Sequence, residues 1–263
     1  MEKTKVFLSD PQVLFREGIH FILSGEDDFE VTGETTGNEE TLVHVTASPP
    51  NVVILSLKDP KISGAAATRR IKRDLPTTQV IITAAEKQDE DVFSAIKSGA
   101  SACITKDTDP EYLLDIIRVV AQGSQPIIDE LLTPGLAGMV LAEFRDIATL
   151  NEQLNNLLAS LTERELALLN SIVAGNDTDQ IAEKLGMTEE IIRRNLRLIV
   201  NKLVANEQSR ALIEAAQRSL PSLIQGREEG LGSKYVTKAE FNEFKDTLME
   251  RLKSLIGEFT AHS

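Results

Sequence analysis

The chain has 263 residues, a net charge of −13 and a pI near 4.8, enough for two domains with appendages and too acidic for a protein that coats nucleic acid non-specifically. It is 41% hydrophobic and 26% charged, with no Trp and only 4% aromatic residues, so its cores must be aliphatic. Cys103 is the only cysteine, which excludes an intramolecular disulfide and fits a reducing, cytoplasmic setting. No run approaches a membrane span, and the start MEKTKVFLSD lacks the long apolar region of a signal peptide. His20, His44 and His262 are too scattered for metal-ligand spacing, so no metal or cofactor is expected.

Residues 1–125 alternate strand and helix patterns. KVFLS (5–9) reads as a strand, and 11–24 as a helix with Val13, Leu14, Ile19, Ile22 and Leu23 at its apolar positions. FEVTGE is a second strand and Glu39–Ala47 a second helix. NVVILSL (51–57) is continuous and β-branched, as a central parallel strand is. Ala65–Arg73 (helix), QVIITAA (strand), Glu90–Lys97 (helix), ACIT (strand) and Pro110–Gln122 (helix) complete five βα repeats. Short loops between them predict a doubly wound five-stranded parallel sheet, with function at the carboxyl ends of its strands.

Those ends carry Asp10 after the first strand, Pro60 and Gly64 after the third, Thr83 on the fourth, Gly99-Ala100, and Lys106 after the fifth. In these residues the segment resembles the receiver domain of two-component signalling. That resemblance implies an aspartate ending the third strand as phosphoryl acceptor, two acids after the first strand holding Mg²⁺, and a hydroxyl and a lysine on the phosphoryl oxygens. The sequence departs at the chemistry. Ser56 stands where the acceptor belongs, Ser9 stands in the first acidic position, and Cys103 replaces an aromatic switch residue. Mg²⁺ takes hard, usually carboxylate, oxygens, and serine without a general base is a poor nucleophile. The expectation is therefore a pseudo-receiver with a degenerate pocket of Ser9, Asp10, Ser56, Thr83 and Lys106, and no enzymatic activity. Asp59 as a substitute acceptor and modification of Ser56 by a serine kinase stay open. Asp10 and Lys106 are expected to retain an ion pair, and Cys103 to be a small core residue or a redox site.

Residues 126–160 form a connector. Break signals crowd 123–135, and from about Gly138 the positions Val140, Phe144, Ile147, Asn151, Leu154, Leu158 and Leu161 alternate steps of four and three. That is an a/d seam of about three heptads, with Asn151 fixing register in a parallel homodimer. The other reading is an amphipathic helix packed on its own receiver.

Residues 161–220 read as three short helices and a fourth. Thr162 and Glu165 make a capping box ahead of Leu166, Leu168, Leu169, Ile172 and Val173, and Gly175 ends that helix. Thr178 is expected to cap a second helix with Ile181, Ala182 and Leu185 buried. After Gly186, Thr188 caps a third, whose core face is Ile192, Leu196, Ile199 and Leu203. Its opposite face carries Glu190, Arg193, Arg194, Arg197 and Asn201, and an arginine-bearing helix after a glycine turn suits the DNA major groove. LTERE (161–165), Val173-Ala174-Gly175, Ile181-Ala182, Leu185, Thr188-Glu189 and Lys202-Leu203 make the stretch resemble the LuxR-type helix-turn-helix of NarL/FixJ response regulators. The resemblance puts the recognition helix over Thr188–Lys202, with Thr188, Glu190, Arg193, Arg194, Arg197 and Lys202 toward double-stranded DNA. It makes Glu207–Arg218 the fourth helix, which helps such domains pair. Glu190 and Asp179 depart from the family's usual residues, and a module that binds proteins instead of DNA is the rival.

Residues 221–263 are expected to be a linker (PSLIQGREEGLGS) and an amphipathic helix. Thr237 and Glu240 form a capping box before Phe241, Phe244, Leu248, Leu252, Leu255 and Phe259, so residues 237–259 are offered as a self-association or partner surface. Together these features predict a cytoplasmic, homodimeric, DNA-binding transcriptional regulator of response-regulator type, acting without aspartyl phosphorylation. The alternative is an interaction scaffold.

Overall fold

A computed structural model describes residues 3–153 and 158–225. The first domain is the expected one: β1 (Thr4–Ser9), α1 (Val13–Ser24), β2 (Phe29–Thr35), α2 (Asn38–Ala47), β3 (Val52–Ser56), α3 (Gly64–Asp74), β4 (Gln79–Ala84), α4 (Asp89–Ser98), β5 (Ala102–Thr105) and α5 (Pro110–Ala121). The five strands are all parallel in the order β2-β1-β3-β4-β5. All of β3 is buried, which is why its sequence is an unbroken apolar run. Ile19 and Leu23 of α1 pack with Leu113, Leu114, Ile116, Ile117 and Val120 of α5 on one face of the sheet. Val13 and Leu14, read from the sequence as core, are 56% and 89% exposed instead. The α1 stripe is taken by Ile19 and Leu23 with Phe15 and Ile22 partly buried, leaving Leu14 on the outside.

The connector is a part of this packing. Residues Pro126–Leu132 form a 3-10 segment that buries Ile127, Ile128 and Leu131, and the Ile127 N–H donates to the Ser101 carbonyl beside β5. It leads into α6 (Pro134–Gln153). Lys97 of α4 pairs with Glu143 of α6 at 3.0 Å. Val140 and Phe144, placed in a dimer seam from the sequence, are 0% and 6% exposed within the single chain, and Ile147 and Leu158 are buried too. Val140 and Phe144, which lie in the same compact unit as the receiver, are therefore covered without a second helix, and over this part of the stripe the intramolecular reading is favoured. The side chains of Asn151 and Leu154 lie outside the described residues.

α7 (Glu163–Val173), α8 (Thr178–Leu185) and α9 (Glu189–Gln225) follow. Two corrections concern caps and lengths. Asp177, not Thr178, caps α8, in a reciprocal box with Gln180, because the carboxylate one residue earlier reaches the Gln180 N–H. The third and fourth helices are one: α9 runs unbroken through Glu207–Arg218 and past Pro221, since residues 189–220 contain neither Gly nor Pro to stop it. The linker expected from residue 221 starts no earlier than 226. The amphipathic stretch 237–259 lies outside the described residues.

The chain divides into two compact units, residues 1–146 with 160–204, and residues 147–159 with 205–263. In the second unit Asn206 is buried and clips Ala159: the Ala159 N–H donates to Oδ1 at 2.7 Å, and Nδ2 donates to the Ala159 carbonyl at 2.9 Å.

Candidate nucleic-acid interface and strand-end pocket

Parallel strands deliver their last residues to one edge. Ser9 lies beside Leu55, and Ser56 beside Thr83, in register. Ser9, Asp10, Ser56 and Thr83 are all buried there. Lys106 closes over them, its Nζ lying 2.8 Å from Asp10 Oδ1 and 2.7 Å from Oδ2, and 5.0 Å from the centre of the Phe15 ring. The Gln12 N–H also donates to Asp10 Oδ1 (2.8 Å), and Thr83 Oγ1 lies 3.5 Å from Oδ2. The expected Asp10–Lys106 pair is present, and it occupies both carboxylate oxygens. Ser56 Oγ donates to the Lys58 carbonyl at 3.2 Å.

The sequence reading missed Asn38, which is 0% exposed and ties the pocket together. Its Oδ1 accepts from Ser9 Oγ (3.0 Å), and its Nδ2 donates to the carbonyls of Ser56 and Ile62 (both 2.9 Å). Its signal was positional: the end of β2 is also a strand end, and Gly37-Asn38 sits there. Asp59 is equally committed, accepting from the backbone N–H groups of Lys61, Ile62 and Asn38. Burial opposes its ionised form, but these three amides outweigh burial and hold its carboxyl below the ordinary value. A carboxylate serving three amides is a loop clasp and a poor substitute acceptor. Cys103 is buried, and burial pushes its thiol up to about 11, which disfavours the reactive thiolate.

On the helical side, the capping box of α7 is complete: Glu165 N–H donates to Thr162 Oγ1 (3.3 Å) and Thr162 N–H to Glu165 Oε2 (2.7 Å). Leu168, Leu169, Ile172, Ile181, Met187, Ile192, Leu196, Ile199 and Leu203 form the buried centre, whereas Leu166 and Val173 are exposed. Gly186 turns α8 into α9 with φ +61°, and Thr188 Oγ1 accepts the Ile191 N–H. Burying Ile192, Leu196 and Ile199 turns Glu190, Arg194, Arg197 and Asn201 outward, and all four are exposed. Among the described residues Arg194 and Arg197 have no ion-pair partner.

Two expected DNA contacts are otherwise engaged. Arg193 reaches Glu189 at 3.1 Å and Asp129 of the 3-10 segment at 3.5 Å. Lys202 turns inward: Nζ lies 2.6 Å from Glu165 Oε2, whose side chain is 3% exposed, and donates to the Ser160 carbonyl at 3.0 Å. That carboxylate would be buried without a charge partner if Lys202 faced DNA, so Lys202 belongs to the framework of the module.

Residues 6–118 match the response regulator receiver domain, and residues 159–215 match the luxR family of bacterial regulatory proteins. The transcriptional regulatory protein YxjL of Bacillus subtilis is 29% identical over 220 residues, covering 83% of this chain and 98% of that protein. DegU of Brevibacillus brevis, also described as a transcriptional regulatory protein, is 26% identical over 81% of this chain and 93% of its own length. The solved receiver domain of NarL from Mycobacterium tuberculosis is 27% identical, covers 47% of this chain and 99% of that one, and has a TM-score of 0.46.

Proposed function

We infer that this chain, which joins a response-regulator receiver domain to a helix-turn-helix of the luxR family, is a DNA-binding transcriptional regulator. The observation that carries the reading is the outer face of α9, where Arg194 and Arg197 are exposed, one turn apart and free of carboxylates among the described residues. Guanidinium groups so placed can bond guanine edges bidentately and neutralise phosphates. In this reading the protein is cytoplasmic, its target is double-stranded DNA, and it binds as a homodimer through contacts other than the α6 stripe.

Regulation proceeds without aspartyl phosphorylation. Ser56 replaces the acceptor, Asp10 is saturated by Lys106 and the Gln12 amide, and Asp59 is held by three amides. Acetyl phosphate with Mg²⁺ should leave the protein unlabelled, and stoichiometric labelling would overturn this part of the reading.

The experiment for DNA binding selects duplexes from a randomised pool with the untreated protein and with an Arg194→Ala/Arg197→Ala variant. Enrichment of a two-fold symmetric site, lost in the variant, supports the reading. Absence of enrichment at low salt favours the interaction-scaffold reading, to which the exposed Glu189 and Glu190 at the start of α9 lend support.

A further inference from the structure

Near its C-terminal end α3 carries Arg69, Arg70, Lys72 and Arg73, a run of cations in a chain whose net charge is −13. Two of them are engaged close by. Arg73 holds the carboxylate of Asp74 with two bonds, Nε to Oδ1 at 2.8 Å and Nη2 to Oδ2 at 3.1 Å. Lys72 donates to Gln79 Oε1 at 3.0 Å. Arg70 is exposed, and among the described residues no hydrogen bond or ion pair engages its guanidinium. The bond from Arg73 is the largest of the effects that lower the Asp74 carboxyl, and the more distant charge of Arg70 is the smallest.

Arg70 helps to line a cavity of about 300 Å³ between α2 and α3. Much of the remaining lining is apolar: Val45 and Ile71 are 0% and 1% exposed, and Leu42 and Leu75 are half-buried. Thr46 also lines it, and its hydroxyl donates to the Leu42 carbonyl at 2.7 Å. This volume lies at the lower end of small-molecule sites, which run from about 300 to 1,000 Å³. The lining selects the occupant. An apolar body fits the four aliphatic side chains, and a carboxylate fits the Arg70 fork, which can bond both of its oxygens. A second negative charge is opposed by Asp74 and by the carbonyl ends of both helices, because the cavity lies along the last turns of each.

We propose that this cavity binds a small monocarboxylate, with its carboxylate on Arg70 and its apolar tail between α2 and α3. The contacts of α3 suit such a ligand to be a regulatory input, a role that rests on the regulator reading above, although the binding does not. Lys72 of α3 and Val204 of α9 meet at Gly99: a Cβ added there would lie 3.5 Å from Lys72 Cγ and 3.6 Å from Val204 Cγ1. A shift of α3 on filling the cavity is therefore felt where α3, the end of α4 and α9 touch.

The test titrates the isotopically labelled full chain with sodium hexanoate, hexanamide and sodium phosphate at constant pH and ionic strength, and follows the backbone amides by nuclear magnetic resonance. Hexanoate should give saturable shifts over residues 42–46 and 70–75 in the millimolar range, as befits so small a ligand. Hexanamide should bind about tenfold more weakly, and phosphate should not saturate. Arg70→Gln should bring hexanoate down to the affinity of hexanamide and leave hexanamide unchanged, and Arg70→Lys should restore part of the loss. Leu42→Trp, which fills the cavity, should abolish binding of both. Unchanged circular dichroism confirms that each variant folds. Failure of hexanoate to saturate, equal affinity for hexanamide, saturation by phosphate, shifts confined to other residues, or binding that survives Leu42→Trp overturns the site. Shifts at Gly99 and Val204 on saturation support the regulatory role, and their absence overturns that role. Hexanoate binding in a protein that selects no DNA would overturn the regulator reading and leave the site standing.

Discussion

The strand-end pocket and the helix-turn-helix use the same device at different places. In each, a lysine at a position where the resembled families meet a phosphate is turned onto a buried carboxylate: Lys106 onto Asp10 at 2.7 Å, and Lys202 onto Glu165 at 2.6 Å. The difference lies in what is left over. At the strand ends nothing is, since Asp10, Asn38, Ser56 and Asp59 all bond within the pocket. On α9 the pairing of Lys202 leaves Arg194 and Arg197 outward. Lys72 is a contrasting case, partly buried and bonded to Gln79 Oε1 at 3.0 Å, with no carboxylate partner among the described residues. A cation's position in sequence therefore says little about its task; the nearest buried acid decides it.

Breaking the pairs gives the largest effect. Glu165→Ala removes the partner of Lys202 and half of the α7 capping box together, and should cost about 3 kcal/mol, the lower end for loss of one member of a buried pair. Chemical denaturation of the full chain measures it. A loss well under 1 kcal/mol would mean that Lys202 simply moves into water and is available to DNA after all.

Asn38→Ala should come next. It strands the carbonyls of Ser56 and Ile62 and the hydroxyl of Ser9, for a loss of about 2 kcal/mol. Hydrogen exchange should show the loosening in the segment between β3 and α3 first. Uniform loosening of the receiver would show instead that Asn38 holds only the start of α2.

Lys72 sharpens the comparison through pH. Burial lowers its amine from 10.5 to about 8. A base with a depressed folded value binds fewer protons in the native state between those two values. Stability from this group is therefore present above 10.5 and is lost as pH falls toward 8. Lys72→Met should stabilise the protein at pH 7 by about 1 kcal/mol, the burial cost less the Gln79 bond, and flatten that alkaline rise. Lys106→Met should destabilise it at the same pH, because Asp10 is left behind.

Much of this was legible in the sequence where the cause is local. β3 announces itself because both faces are buried, the Thr162/Glu165 box closes within one helical turn, and Gly186 acts through its own backbone. The failures were long-range. The inward turn of Lys202 depends on Glu165, thirty-seven residues away. The α6 stripe has the period of a dimer seam, and period alone does not say whether the covering surface is another chain or the same one. Leu14 fitted a core pattern that Phe15, Ile19, Ile22 and Leu23 already filled. Asn38 carried no pattern, because one buried amide has no period.

The smallest expected effect tests how far the two regions are linked. Arg193 of α9 is held by Asp129 of the 3-10 segment at 3.5 Å, with both side chains about half exposed. Exposed pairs contribute about 0.2–1 kcal/mol, so Asp129→Asn should strengthen DNA binding by no more than about fivefold. The gain should vanish at high salt, where the pair is already screened. It should also vanish in an Arg193→Gln background, since the pair is then absent from the start. Electrophoretic mobility shifts at two salt concentrations, on wild type, both single variants and the double variant, give the full cycle. A coupling near zero would confine Arg193 to its contact with Glu189. A coupling above 1 kcal/mol would mean that Asp129 restrains more of α9 than this one guanidinium.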